Sequence, residues 1–415
     1  MFSRCDPLVE TSDVNDSWSP MRDEITRRLI DNDHVYRALA EEKVLGWKSE
    51  ALNLLWSSRK RSFKSKSSQT KADSSKRFTP EEKKYFLFYN DVLSSIGPDV
   101  FRRGDKIFAD IGCAPGGMSK YLTTMLQWRG HGFSLSPEEG GLEMRYSNPL
   151  SLEFAFANMS REGEWRKVID CLKAIKFTKL DFINLGVVVD VGQVEADSGS
   201  GAELTVRATN ACRNQLIVML RTLKEGGSCM WIHSISHVDT FFFFLDFLVD
   251  CYSKITVFNT LVPSRSPVYV LLEGFKPTHP RAKALDHYLV NTPIRYEHPE
   301  EWQVRDWSVV ERVMQNDFIR ESIHQVWNDK REKLWVTRTA AEERFTKCSG
   351  NAEEFVNHHV KALMPALSGV RTKTQTPSAT APAPSLVTQT NYICGLTPSE
   401  EKTVRNIADL LALAS

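Results

Sequence analysis

The sequence predicts an α/β fold: a mostly parallel sheet covered by helices on both faces, closed by an antiparallel last pair. Three observations predict it. Strand-like and helix-like patterns alternate from Lys106 to Lys276, as βαβ construction requires. The strand-like runs are almost continuously apolar, which suits strands buried on both faces. The last two runs, "KITVFNT" and "SPVYVLLEGF", are joined by only a few residues around Pro263. A parallel crossover needs about a dozen residues or more, so this pair is antiparallel.

The elements follow in order. Residues 20–57 space Ile25, Leu29, Ile30, Val35 and Leu39 at helical intervals. "RKRSFKSKSSQTKADSSKR", Arg59–Arg77, is basic, Ser-rich and aperiodic. It reads as a solvated linker, with an RNA-contacting arm or a nuclear address as the sharper alternatives. Thr79-Pro80-Glu81-Glu82 supplies an N-cap and a first turn for a helix ending near Gly97. Strands are expected in "KIFADIG", "GHGFSLS", "LGVVVDVG" and "SCMWIHSI", besides the final pair. Helices are expected over Gly117–Trp128, Glu203–Leu223 and Val238–Tyr252. After Pro277 the pattern is helical again, with Trp302, Trp307, Trp327 and Trp335. Residues 368–391 are rich in Thr, Pro, Ala and Ser and read as a disordered linker. A capped amphipathic helix closes the chain.

The expected organisation is therefore a helical region over 1–58, a basic linker over 59–77 and an α/β domain over 78–276. A helical extension over 277–367, a linker over 368–391 and a helix over 392–415 follow.

Composition narrows the function classes. The chain has 415 residues, 41% hydrophobic and 25% charged, with a net charge of +1. This is globular composition without a global field for nucleic acid, so any RNA surface is local. The 8 Cys are scattered without a CxxC pair, which argues against zinc and for reduced thiols in an intracellular compartment, cytoplasm or nucleus. The most apolar run, Thr240–Tyr252, is too short to span a bilayer and carries Asp246 and Asp250. No metal and no membrane partner are expected.

The most informative segment is "KIFADIGCAPGGMSKYL", Lys106–Leu122. A strand delivers Asp110 and Gly112 to its carboxyl end, where open α/β sheets hold ligands. Gly112, Gly116 and Gly117 allow close backbone approach, and Pro115 stiffens the turn. The spacing D-x-G-x-x-P-G-G is neither the dinucleotide fingerprint nor a phosphate loop. It suits a ligand without phosphates that carries a cationic amine and sulfonium, a carboxylate and an adenosine: S-adenosylmethionine.

"DIGCAPGGMSKYL" resembles the first motif of the FtsJ-like methyltransferases, which methylate RNA ribose 2′-hydroxyls. The resemblance covers roughly residues 78–276. It implies a seven-stranded Rossmann-like class I methyltransferase fold, with S-adenosylmethionine as cofactor and RNA as partner. It places the donor against Asp110, Gly112, Ala114, Pro115, Gly116 and Gly117. Ser134 ends the second strand, where the family normally offers an acid to the donor ribose. Asp181 and Phe182 in "KLDF" match the acid-aromatic pair near the adenine. Asp190, ending "VVVDVG", matches the catalytic Asp of a Lys-Asp-Lys-Glu tetrad.

The rest of that tetrad departs from the family. The second Lys falls at Ile232, beside His233, and Pro267 stands where the Glu belongs. The first Lys has two candidates, Lys83 and Lys84. Three readings follow: an RNA 2′-O-methyltransferase with His233 or a Lys from elsewhere as base; an inactive FtsJ-like module that binds RNA or protein; or a methyltransferase with another acceptor.

Overall fold

The computed structural model describes residues 24–55, 80–188, 201–234, 238–260, 267–292, 294 and 306–356; the side chains of 80–84, 201–205 and 234 lie outside that description. The chain divides into two compact units, one comprising 1–37 and 74–329, the other 38–73 and 330–415.

The first unit holds a seven-stranded sheet in the order β3-β2-β1-β4-β5-β7-β6. The strands are β1 (Ile107–Ile111), β2 (Arg129–Ser134), β3 (Leu152–Phe156), β4 (Leu180–Leu185), β5 (Leu223–Ser234), β6 (Lys254–Asn259) and β7 (Pro267–Glu273). β1 to β5 pair in parallel, and β7 runs antiparallel between β5 and β6. This is the Rossmann-like class I methyltransferase fold, with the predicted antiparallel end.

The helices follow from the sequence much as expected. They are α1 (Glu24–Asn32), α2 (His34–Lys48), α3 (Pro80–Ile96), α4 (Gly117–Lys120), α5 (Glu164–Ala174), α6 (Gly201–Thr222), α7 (Val238–Cys251), α8 (Pro280–Asn291), α9 (Trp307–Met314) and α10 (Asp317–Lys347). The helix expected to Trp128 is α-helical only to Lys120 and continues as a π-helical turn, Tyr121–Met125.

Alternation along the strands builds two cores. Phe108, Phe182, Met230, Tyr269 and Leu271 face α3 and its surroundings, where they pack with Tyr89, Leu93 and Trp128. On the other face Trp231 stacks on Phe241 of α7, with ring centroids 6.2 Å apart. Residues one apart on a strand therefore enter different cores.

Two expectations shift. β4 is "LDFINL", so the strand read as "LGVVVDVG" lies one segment too late. β3, which the sequence pattern does not predict, is an edge strand in which only Leu152 is buried. Residues 59–77, 368–391 and 392–415, and Trp302, fall outside the described residues.

The two acids inside the apolar run of α7 have partners. Arg312 of α9 donates from Nε to Asp246 Oδ1 (2.7 Å), from Nη1 to Asp250 Oδ2 (2.9 Å) and from Nη2 to the Asp246 carbonyl (2.7 Å). Arg281 of α8 also pairs with Asp246 and donates to its carbonyl at 2.9 Å. Two guanidiniums thus fasten the helices beyond the sheet to α7. Arg312→Ala is expected to lower stability by about 1–3 kcal/mol, since it removes charge-assisted hydrogen bonds at a half-exposed site. Arg312→Lys should recover only part, because one ammonium cannot span both carboxylates. Denaturant titration checks this; a midpoint unchanged in Arg312→Ala would contradict it.

In the second unit Arg338 donates to Glu42 through Nε (2.7 Å) and Nη2 (3.2 Å). Leu52, Leu55, Ala341, Cys348 and Phe355 form its small core.

Candidate functional site

The carboxyl ends of β1, β2, β4 and β5 meet at one edge of the sheet, at Ile111, Ser134, Leu185 and Ser234. The glycine-rich turn leaves β1 there. Gly112 has φ 85° and donates its N–H to the Phe133 carbonyl at 2.7 Å. A Cβ at Gly112 would lie 2.7 Å from the Gly186 carbonyl carbon and 2.9 Å from the Val187 nitrogen. Gly112 is thus required by the segment leaving β4, which crosses it in backbone contact.

Gly116 has φ 114°, and a Cβ there would lie 2.5 Å from the Cβ of Tyr146. Tyr146 sits on the turn because its hydroxyl pairs with Thr123 Oγ1 at 2.7 Å and accepts from Asn148 Nδ2 at 3.1 Å. The Arg145 N–H reaches the Pro115 carbonyl at 3.2 Å, and the Ala114–Pro115 peptide is cis. Gly117 begins α4 and is buried.

Asp110 is the electrostatic centre of this edge. It is fully buried, and its carboxylate accepts from Ser119 Oγ at 2.6 Å and from Asn184 Nδ2 at 2.7 Å. Burial pushes its pKa up, while the Asn184 and Ser119 bonds pull it back. Asp110 and Asn184 are register partners across β1 and β4. Asn184 is 3% exposed, and its Oδ1 has no hydrogen-bond partner among the described residues. A buried, unpaired amide oxygen costs free energy unless a donor reaches it.

The other expected donor-site residues divide. Ser134 is buried at the end of β2, and its carbonyl accepts from Ala157. Ser136 caps the 3₁₀ turn Pro137–Glu139, and Glu139 pairs with Arg161 at 2.6 Å. Asp181 lies at the amino end of β4, the opposite edge of the sheet. It accepts from the Ile107 N–H at 2.9 Å and pairs with Lys224 at 2.5 Å. Phe182 is core, with its ring centroid 5.7 Å from that of Trp128. The structure therefore brings together Asp110, the turn over 112–117 and Ser134, and does not bring Asp181 or Phe182 to them.

The expected catalytic residues are spread more widely. Asp190 lies outside the described residues, and the side chains of Lys83 and Lys84 do also. β4 ends at Leu185, so the strand-end position is taken by Gly186 and Val187. Gln215 of α6 holds Val187 through both backbone groups, at 2.9 and 3.1 Å. His233 is on the α7 face, 4.7 Å from the Trp231 ring and 5.6 Å from Phe241. That is the face opposite Asp110.

On the Asp110 face the residues after Met230 and Leu271 are Ile232 and Tyr269, which pair across β5 and β7. The Tyr269 hydroxyl meets the Tyr89 hydroxyl of α3 at 3.0 Å. Burial raises both phenol pKa values.

Sequence reading missed Asn184, Ser119, Gln215 and the Tyr89–Tyr269 pair. Asn184 had a signal: it is the one amide in the six residues of "LDFINL", two positions after Phe182 and so on the same face.

Among the described residues no group of three or more His, Cys, Asp or Glu is placed to hold a metal. No described helix is long and apolar enough to cross a membrane.

No protein-family model matches the chain, and no curated protein matches its sequence. Solved structures do resemble it. One is a candidate ribosomal RNA methyltransferase from Plasmodium falciparum, with 18% identity and a TM-score of 0.33, over 48% of this chain and 97% of that one. Another is human methyltransferase-like protein 13 in complex with SAH, with 10% identity and a TM-score of 0.30, over 50% and 94%. A third is a probable spermidine synthase from Corynebacterium glutamicum, with 12% identity and a TM-score of 0.27, over 51% and 72%. The fold assignment rests on the strand order and register described above, and function has to be argued from the site.

Proposed function

We propose that the chain is an S-adenosylmethionine-dependent methyltransferase acting on RNA ribose 2′-hydroxyls. The observation that carries the donor assignment is the pair Asp110–Asn184. A buried carboxylate beside an amide oxygen that lacks a donor fits a ligand bringing a cationic N–H group. The amine of S-adenosylmethionine is such a group, so the residues present fit this cofactor. Asp110 and Asn184 would hold its ammonium, the backbone of 112–117 its methionine moiety, and Ser134 its ribose.

When bound, this cofactor supplies a methyl group on a sulfonium, which passes to a nucleophile while the thioether leaves. The chain's own task is to hold the acceptor in line and to relieve it of a proton. In-line positioning alone is worth several kcal/mol of barrier. Lys83 or Lys84 is assigned the proton, with Asp190 as its neighbouring carboxylate; a lone carboxylate is too weak a base for a hydroxyl. Arg59–Arg77 is assigned the phosphates, which positions RNA without reading its sequence.

The second reading is an inactive module. It is favoured by one observation: Ile232 and Pro267, with Tyr269 beside them, occupy the places where the resemblance expects Lys and Glu. Transfer of tritiated methyl from S-adenosylmethionine to total RNA separates the two. Transfer is expected in wild type, falling about 10²–10⁴-fold in Asp190→Asn while affinity for S-adenosylhomocysteine is kept. Donor-product binding without any transfer in wild type would establish the inactive module. Undiminished transfer in Asp190→Asn would remove Asp190 from the mechanism.

A further inference from the structure

We propose that a second site, at the edge of the sheet opposite the glycine-rich turn, binds a small organic anion: one phosphate or carboxylate head on an apolar body. α6 ends at Thr222, immediately before β5 begins, and β7 ends at Glu273 on the same edge. Between α6 and α8 lies a cavity of about 300 Å³. That is the lower end of the range of about 300–1,000 Å³ typical of small-ligand pockets.

Its lining includes the apolar residues Leu220, Phe275 and Val290. Its polar lining includes two cations, Lys283 and Arg221. Lys283 and His287 both line it and stand at i and i+4 on α8, so they share one face. Among the described residues no partner is found for the Lys283 ammonium, and its side chain is exposed. The His287 Nδ1 lies 3.1 Å from the Asn291 Nδ2. In the tautomer in which Nδ1 accepts from that amide nitrogen, Nε2 carries the ring proton.

Arg221 is the second cation, and it is pre-positioned. Its guanidinium packs at 4.6 Å on the Trp165 ring, whose centroid also lies 4.6 Å from the Arg166 guanidinium. It donates from Nε and Nη2 to the Asp286 carboxylate, at 2.9 and 3.1 Å. Asp286 is the acid of the wall, and its two oxygens are engaged by this fork. What remains is the ammonium of Lys283, the Nε2–H of His287 and the Nη1 of Arg221, in a lining that also holds Leu220, Phe275 and Val290. Such donors select an anionic head and the apolar lining residues select an apolar body.

The test uses the full-length chain and titration calorimetry with four probes. 1-Naphthyl phosphate and 1-naphthoate carry head and body, 1-naphthol carries the body alone, and inorganic phosphate carries the head alone. At least one of the two complete probes is expected to bind at one site, more tightly than either part. Which of the two binds distinguishes a phosphate-specific from a carboxylate-specific site. Lys283→Glu is expected to weaken that binding about tenfold or more, the loss of one charge-assisted contact. Val290→Trp fills the space beside this lining residue and should abolish that binding. Lys283→Glu alters an exposed side chain, so its thermal midpoint and its affinity for S-adenosylhomocysteine should equal wild type. Failure of both complete probes to bind overturns the proposal, as does binding that is equal in Lys283→Glu and wild type.

Discussion

Gly112→Ala is expected to lower stability by about 2–5 kcal/mol and to abolish donor binding in whatever fraction folds. Two costs combine. The residue has φ 85°, a conformation that costs an L-residue about 1–2 kcal/mol. The added methyl would also meet the backbone of Gly186 and Val187 at 2.7 and 2.9 Å, and backbone yields less than a side-chain tip. Gly140→Ala is the internal control. Gly140 has a similar φ of 87°, with nothing within 4 Å of the position its Cβ would take. It should show the conformational cost alone. Urea denaturation of the two variants separates conformation from contact, and equal losses would mean that the Gly112–Gly186 crossing is not tight.

Asp110→Ala should be nearly as costly, at about 2–5 kcal/mol. It strands the Ser119 hydroxyl and the Asn184 amide N–H in a buried place, at about 1–3 kcal/mol for each unsatisfied group. The more informative change is in pH. Burial raises the Asp110 pKa above 3.8, so the carboxylate form, which attracts a cation, is lost at a higher pH than for an ordinary Asp. Donor-product affinity should therefore fall on acidification earlier than a free carboxylate would dictate. Stability has the opposite sign. A folded pKa above the unfolded one means that the native state holds its proton longer, so this contribution is full below pH 3.8 and declines as pH rises through the folded value. Calorimetry against pH reads the first effect and denaturation against pH the second. An affinity that stays constant down to pH 4 would contradict the assigned role.

Much of the fold was legible because its elements announce themselves locally. The β1 turn carries three glycines and a proline within six residues of Gly112, and few structures other than a strand-turn-helix accommodate them. The antiparallel end followed from the short connection around Pro263. What was not legible depended on partners far away in sequence. "LGVVVDVG" has the β-branched composition of a strand, but the sheet took the preceding "LDFINL", where Phe182 fills the core beside Trp128 and Asn184 meets Asp110. Propensity could not decide between two adjacent apolar runs; tertiary packing did. β3 was missed because an edge strand buries little and so shows little pattern.

The site was half legible for the same reason. Asp110 and Gly112 belong to one continuous segment, whereas the Asp110–Asn184 bond joins residues on different strands. His233 has the chemistry of a base but lies on the wrong face. Ile232 and His233 alternate on β5, and the sheet turns His233 toward Trp231 and Phe241, away from Asp110.

The most direct measurement is a calorimetric titration of the full-length chain with S-adenosylhomocysteine, which keeps the ammonium that Asp110 and Asn184 are assigned to hold. Wild type should bind at a single saturable site. Asp110→Asn preserves size and removes the charge, so it should weaken binding about tenfold or more, as expected for a lost charge-assisted contact. Absence of binding to the folded wild type, or equal affinity in Asp110→Asn, would contradict a donor site built on this edge of the sheet.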